Sequence, residues 1–311
     1  MPLDPDAARL LELTRGRARI EDFAPVEARV AYHRARLALQ SSPADVAQAR
    51  DISIPGPGGP LRLRLTRGLG APEHAAPCLV FLHGGGWTIG DLDTHDYAAR
   101  RLANAANCVV ASVDYRLAPE HKFPAAVHDA VAALDWVAAH PQESGADPAR
   151  LAIGGDSAGG NLAASAAILA RDAGGPALIH QSLLYPSTDM EMQRAGFDDV
   201  SPDMPLAPKT ARYFRDHYMK DAPETADWRA SPLRAPSLAG LPHTFLLTVR
   251  HDPLRAEGAD YARALEKAGV RVWHVDMNDQ VHGFLTMNRL IRAADTALDM
   301  AALALRYAFA L

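Results

Sequence analysis

LAIGGDSAGGNLAASAAILA, residues 151–170, carries the reading of the whole chain. It opens as a short apolar run, passes through Gly155-Asp156-Ser157-Ala158-Gly159, and continues as an alanine- and leucine-rich helical run. A serine with glycine two residues to either side, between a strand and a helix, marks a sharp turn that lifts its hydroxyl out of a sheet. The flanking backbone nearly touches in such a turn, and Gly155 and Gly159 supply the room. The hydroxyl also meets a helix N-terminus, where developing negative charge is favoured. A phosphate-binding loop does not fit, because Gly160 rather than lysine follows Gly159.

Outward from this turn the chain alternates short apolar runs with longer helical patterns. The runs are CLVFL (78–82), CVVASV (108–113), RLAIGG (150–155), ALIHQSLLYP (177–186), HTFLLTV (243–249) and RVWHV (271–275). Between them lie amphipathic stretches such as 125–140, with Val127, Val131, Leu134 and Val137 on one stripe. Short strands apolar on both faces, alternating with helices, predict a mostly parallel sheet covered by helices, an α/β domain. Asp51–Pro55 and Leu61–Thr66 alternate apolar and polar residues around PGPGGP and predict a β-hairpin. The first 45 residues read as helical. Asp4-Pro5 is a helix start, and Ala7, Leu10, Leu11 and then Val26, Val30, Leu37 recur at helical spacing. Residues 188–228 are polar, dotted with Met and Pro, and too long for an ordinary connection. With the N-terminal helices they are expected to form a helical cap. The division is 1–45 and 188–228 for the cap, and 46–187 and 229–311 for the catalytic domain.

His83-Gly84-Gly85-Gly86-Trp87 directly follows CLVFL. Three glycines after a buried strand let a loop turn backbone N–H groups toward a ligand, as in the loops that complete oxyanion holes. His83 reads as a support of that loop, and Trp87 as a pocket or packing residue. A nucleophilic serine needs a base, and the base an orienting carboxylate, expected in the chain order Ser, Asp/Glu, His. Six histidines follow Ser157. His180, His243 and His274 fall in or at strand runs, His217 in the cap segment, and His251 beside the best acid candidate. His282, in NDQVHGF, is read as lying in a loop after the last strand, over the sheet's C-terminal edge. Asp252 follows the run HTFLLTV and its Arg250-His251, where a carboxylate faces the same crevice. Asp279, close to His282 in sequence, is read as facing solvent. Asp114, Arg116, Glu120, Asp129 and Trp136 are read as bracing a loop and its helix. Met190, Met192, Met204 and Met219 are read as cap packing.

These stretches resemble the bacterial hormone-sensitive-lipase family of α/β-hydrolases, in its GDSAGG branch. The resemblance rests on HGGGW (83–87), DYRLAPEHKFPA (114–125), GDSAGGN (155–161), DPLRAEG (252–258) and HGF (282–284), in order, and covers the chain from about residue 50 to its end. It implies an α/β-hydrolase fold with a helical cap and a serine carboxylesterase favouring short acyl chains. It implies catalytic Ser157, Asp252 and His282, and oxyanion donors in the backbone N–H groups of Gly84, Gly85 and Ala158. It also implies a homodimer through the edge strand near 271–275. Val249-Arg250-His251 departs from the small residues familiar before the acid and puts bulk and charge beside it. A non-catalytic ligand-binding protein on the same fold is the rival reading; such receptors lack the histidine that is present here. Amide or long-chain lipid hydrolysis keeps the same residues and is not separated by the sequence.

Composition bounds the rest. The chain has 311 residues, 48% hydrophobic, with net charge −5. Lys and Arg number 32 against 37 Asp and Glu, so no basic excess points to nucleic acid. No apolar stretch approaches the about 18 residues of a membrane span, and the first residues lack a signal-peptide core. The two cysteines, Cys78 and Cys108, sit in strand runs and read as reduced core thiols of a cytoplasmic protein. No HExxH or Cys/His cluster predicts a metal, and no cofactor is expected. The expected partner is a small-molecule ester.

Overall fold

The computed structural model describes residues 2–310; residues 1 and 311, at the ends of the expected domains, lie outside the described residues. Eight strands form one sheet, β1 (Gln48–Gly56), β2 (Gly59–Arg67), β3 (Ala76–Leu82), β4 (Val109–Asp114), β5 (Ala146–Asp156), β6 (Leu178–Leu184), β7 (His243–His251) and β8 (Val272–Val281). Their order across the sheet is β1-β2-β4-β3-β5-β6-β7-β8. The β1–β2 hairpin and the β2–β4 pair are antiparallel, and every other pair is parallel. Helices α1 (Pro5–Thr14), α2 (Pro25–Leu39), α3 (Asp96–Ala106), α4 (Ala125–Ala139), α5 (Pro141–Ser144), α6 (Ala158–Asp172), α7 (Pro208–Tyr218), α8 (Arg255–Lys267) and α9 (Ala293–Phe309) complete the chain.

The period of two along the strands sends side chains into two separate cores. Cys78, Val80 and Leu82 of β3 join Val109, Ala111 and Val113 of β4 beneath α4, α6 and α8. Leu79, Phe81 and Val110 join Phe245 and Leu247 on the opposite face, beneath α3 and α9. Both faces are covered, so these strands carry almost unbroken apolar runs. Cys78 and Cys108 are free and fully buried, and burial pushes the Cys78 thiol up to about 12. No helix among the described residues is long and apolar enough to cross a membrane.

The predicted strands are all present, and one difference of extent bears on the site. Residues 278–281, read as a loop, continue β8, so His282 follows the strand directly. The polar sequence there belongs to the sheet's edge strand, whose outer side faces solvent; Trp273 is 44% exposed.

The N-terminal helices pack differently from the expected apolar stripe. Asp4 caps α1 as the sequence predicts, its Oδ1 accepting the N–H groups of Asp6 and Ala7 at 2.9 and 3.1 Å. Ala7 and Leu10 are buried, but in the core beneath α9, not against residues 188–228. Asp4 N–H donates to the Asp279 carbonyl, and Asp6 pairs with Arg292. On α2, Val26, Val30 and Leu37 are exposed, at 62%, 66% and 49%. The inward stripe is instead Ala28, Tyr32 and Arg36, one residue per turn, and Tyr32 and Arg36 reach a cavity. Polar contacts fix α2: Arg29 donates to the carbonyls of Thr88 and Ala118, His33 bonds Asp91, and Gln40 donates to the Thr94 carbonyl.

Candidate active site

Strand order reverses at β3, with β4 on one side and β5 on the other. The crevice beyond the strands' C-terminal ends opens at such a point. HGGGW leaves β3 there, and Ser157 leaves β5. Ser157 adopts φ 55°, ψ −117°, an unusual backbone for a non-glycine residue. Its N–H donates to the Leu184 carbonyl at 2.8 Å, holding the turn against β6. A Cβ on Gly159 would overlap the Leu82 carbonyl, and one on Gly155 would overlap both Leu82 and Gly159. Glycine at both positions is therefore what lets α6 start so close to β3.

The turn aims Ser157 at two residues from the other end of the sheet. His282 Nε2 lies 2.8 Å from Ser157 Oγ, and His282 Nδ1 lies 2.8 Å from Asp252 Oδ2. The other carboxylate oxygen of Asp252 accepts the Leu254 N–H at 2.9 Å. All three side chains are buried, and the Tyr185 ring packs 4.6 Å from the imidazole. Arg250, whose charge could have disturbed the acid, points outward and is exposed. Asp279 makes no hydrogen bond to His282. Three of the other histidines bond elsewhere, His180 to Ser182, His217 to the Tyr213 carbonyl and His274 to Thr248, and His251 Nε2 is buried without a hydrogen-bond partner among the described residues.

The glycine loop differs from expectation at Gly84. Its N–H donates to Asp156 Oδ1 at 2.8 Å and is turned away from Ser157. Gly85 and Gly86 instead line the cavity with Ser157 and His282. Among the described residues the N–H groups of Gly85, Gly86 and Ala158, the first residue of α6, have no protein acceptor. The third glycine, directly before Trp87, was the signal available in the sequence. Beneath the loop, burial would raise the Asp156 carboxyl, but His95, the Gly84 N–H and His83 together hold it below the usual carboxylate range. His83 is pushed down to about 4 by burial and by His95. It bonds the Gly84 carbonyl, stacks on Tyr115 at 4.3 Å, and so supports the loop. Farther along, Arg116 forks onto Asp129 and Glu120 pairs with Arg29, the bracing read from the sequence.

Above the site is a cavity of about 100 Å³. Ile20, Tyr32 and Arg36 bound it from the N-terminal side, and Met192, Leu206 and Phe214 from the 188–228 segment. Trp87 lines it while stacking on Tyr218 at 4.7 Å, so it is both pocket and packing residue. The two sides are tied: Arg19 donates to the Met204 carbonyl, Thr210 to Glu21, and Tyr213 to the Phe23 carbonyl. Among the described residues no three His, Cys, Asp or Glu side chains gather as a metal site.

Comparison with known proteins agrees with this geometry. Residues 79–286 match the family described as alpha/beta hydrolase fold. The carboxylic ester hydrolase LipN of Mycobacterium tuberculosis is 46% identical over 246 residues, 77% of this chain and 65% of LipN. This chain thus spans about two thirds of LipN's length. Esterase LipI of the same organism is 40% identical over 261 residues, 82% of this chain and 81% of LipI. Among solved structures, the ester-hydrolase EH1AB1 from the metagenome of Lake Arreo, bound to a bipyridine phosphonate derivative, superposes with a TM-score of 0.96 at 37% identity. That match covers 99% of this chain and 100% of EH1AB1. The chain belongs to the α/β-hydrolase fold family, in the hormone-sensitive-lipase branch of carboxylic ester hydrolases.

Proposed function

We propose that this carboxylic ester hydrolase works through a Ser157–His282–Asp252 triad and an acyl-enzyme, and favours short acyl chains. One observation carries the reading: the unbroken chain of 2.8 Å contacts from Asp252 through His282 to a serine on a positive-φ turn, at the floor of a cavity. The substrate carbonyl oxygen points at the N–H groups of Gly85, Gly86 and Ala158. Ser157 Oγ attacks the carbonyl carbon as His282 Nε2 takes its proton. Asp252 holds the imidazole by its Nδ1–H and stabilises the cation that forms. As the tetrahedral intermediate collapses, the bond to the alcohol oxygen breaks and His282 protonates that oxygen. Water, deprotonated by His282, then releases the acid and restores the serine. Where bound substrate and the residues above it displace water, a hydrogen bond from these donors to developing charge is worth more than in water.

The short-chain preference rests on the size of the cavity, which Phe214 and Trp87 narrow beside Gly86. In the same reading, residues 188–228 and the stretch 19–39 act together as the cap, while α1 anchors that cap to the catalytic core. The test is kcat/KM across para-nitrophenyl esters of increasing acyl length, beside the matching anilides. The reading expects a maximum at the shortest chains and slower amide cleavage. A rising profile out to long chains contradicts it.

A further inference from the structure

Among the described residues Arg36 is a cation without a counterion at the catalytic cavity. It lies on the inward stripe of α2 and lines the same cavity as Ser157 and His282. Its only specific neighbour among the described residues is the Tyr32 ring, 4.7 Å below the guanidinium. Its Nε is buried with no hydrogen-bond partner, and no carboxylate lies within ion-pair distance. The carboxylates nearby are committed or solvated. Asp156 holds the Gly84 N–H and His95, Glu21 holds Arg19 and Thr210, and Asp203 is exposed. A buried guanidinium donor without an acceptor costs free energy that a bound anion would return.

The position of Arg36 says which part of a substrate it would meet. A Cβ placed on Gly283 would lie 3.5 Å from Arg36 Nη2, so the guanidinium stands beside Gly283, the residue that follows His282, on the same cavity. His282 must protonate the leaving alcohol oxygen, which puts the alcohol half of the ester on that side. From Arg36 and Tyr32 a groove of about 440 Å³ runs outward between α1 and α2. Arg17 and Arg19 flank it, facing Glu21 and Asp203, so these four charges balance and Arg36 is the surplus cation of the groove.

We infer that the site is built for esters whose alcohol half carries a carboxylate, that is, O-acyl hydroxy acids, with the carboxylate forked onto Arg36. The inference rests on the proposed triad. In O-acetylglycolate the acetyl group passes to Ser157, the acetyl C–O bond breaks, and His282 protonates the glycolate oxygen. Water then returns the acetyl group as acetate. Planar, two-pronged recognition of a carboxylate is what a guanidinium does and an ammonium does less well.

The experiment compares O-acetylglycolate with its uncharged counterpart O-acetylglycolamide on wild type, Arg36→Gln and Arg36→Lys, with para-nitrophenyl acetate as reference. The acid-to-amide ratio of kcat/KM should fall about tenfold or more in Arg36→Gln, as expected for losing a charge-assisted bond. The loss should appear mainly in KM, and Arg36→Lys should recover part of it. If para-nitrophenyl acetate is turned over but the ratio stays within about twofold across the three proteins, Arg36 is not a carboxylate site. If wild type cleaves the amide but not the acid, the inference also fails while ester hydrolysis stands. If wild type cleaves none of the three esters, the proposed triad chemistry falls and takes this inference with it.

Discussion

Replacing Asp252 with Asn tests the triad through the direction of one proton. The two carboxylate oxygens have different tasks: Oδ2 faces His282 Nδ1 at 2.8 Å, and Oδ1 accepts the Leu254 N–H at 2.9 Å. Asparagine can keep only one of these bonds. If its oxygen stays on Leu254, its NH2 faces Nδ1, which must then accept. The imidazole proton moves to Nε2, where it points at Ser157 Oγ and cannot take the serine proton. If the amide flips, the tautomer is right, but the NH2 opposes the Leu254 N–H, at a cost of about 1–3 kcal/mol for buried donors left unpaired. In either case the imidazolium formed during attack loses its buried partner, which costs about 3–5 kcal/mol. The flipped route totals about 4–8 kcal/mol, a fall of at least about 10³-fold in kcat. Asp252→Ala removes the carboxylate without imposing the wrong tautomer, so it should be no slower than Asp252→Asn. Stopped-flow and steady-state assays with para-nitrophenyl acetate, on proteins shown to melt cooperatively, give the comparison. An Asp252→Asn enzyme keeping more than about a tenth of wild-type kcat would refute this reasoning.

Two further expectations address the surroundings of the triad. Glu257 is fully buried, with Oε1 accepting from Ser187 Oγ and the Thr188 and Asp189 N–H groups. Burial, against those bonds, raises its carboxyl to about 8 from the usual 4.5. The stability this gives is complete at low pH, where folded and unfolded chains both hold the proton. It is lost as pH rises from about 4.5 to about 8, because the unfolded chain releases its proton first. Glu257→Gln should therefore flatten the pH dependence of the urea midpoint in that window and equal or exceed wild type at its upper end. An unchanged slope would contradict a neutral Glu257. Gly86→Ala puts a Cβ into the Phe214 ring at φ +57°, a backbone that costs alanine about 1–2 kcal/mol. Moving that N–H off the oxyanion should cost about 10²-fold or more in kcat with little change in KM; a raised KM with kcat unchanged would assign Gly86 to binding alone.

Much of this molecule was legible in its sequence. The strands were readable because both faces of the sheet are covered, which makes β3 to β7 continuous apolar runs. The Ser157 turn was readable because its glycines are forced by contact with Leu82. What the sequence hid followed from surfaces. Val26, Val30 and Leu37 keep helical spacing but face solvent, since α2 is held by the polar bonds of Arg29, His33 and Gln40. A stripe rule that sends the apolar side inward therefore selected the wrong face. The end of β8 was missed because an edge strand needs no apolar residues on its open side. Gly84 was taken as a donor because nothing in three consecutive glycines says which N–H is spent on Asp156. Arg36 gave no signal at all, as an unpaired arginine looks like any other until its neighbours are placed.

The central claim is that Ser157 becomes acylated during turnover. Wild-type protein mixed with para-nitrophenyl acetate, quenched in acid within the first turnovers and digested, should show one acetyl group on the peptide containing Ser157. Ser157→Ala should show no such label and lose turnover by about 10⁶-fold. An acetyl group found reproducibly on another residue, or a Ser157→Ala protein keeping more than a few per cent of wild-type turnover, would contradict the account.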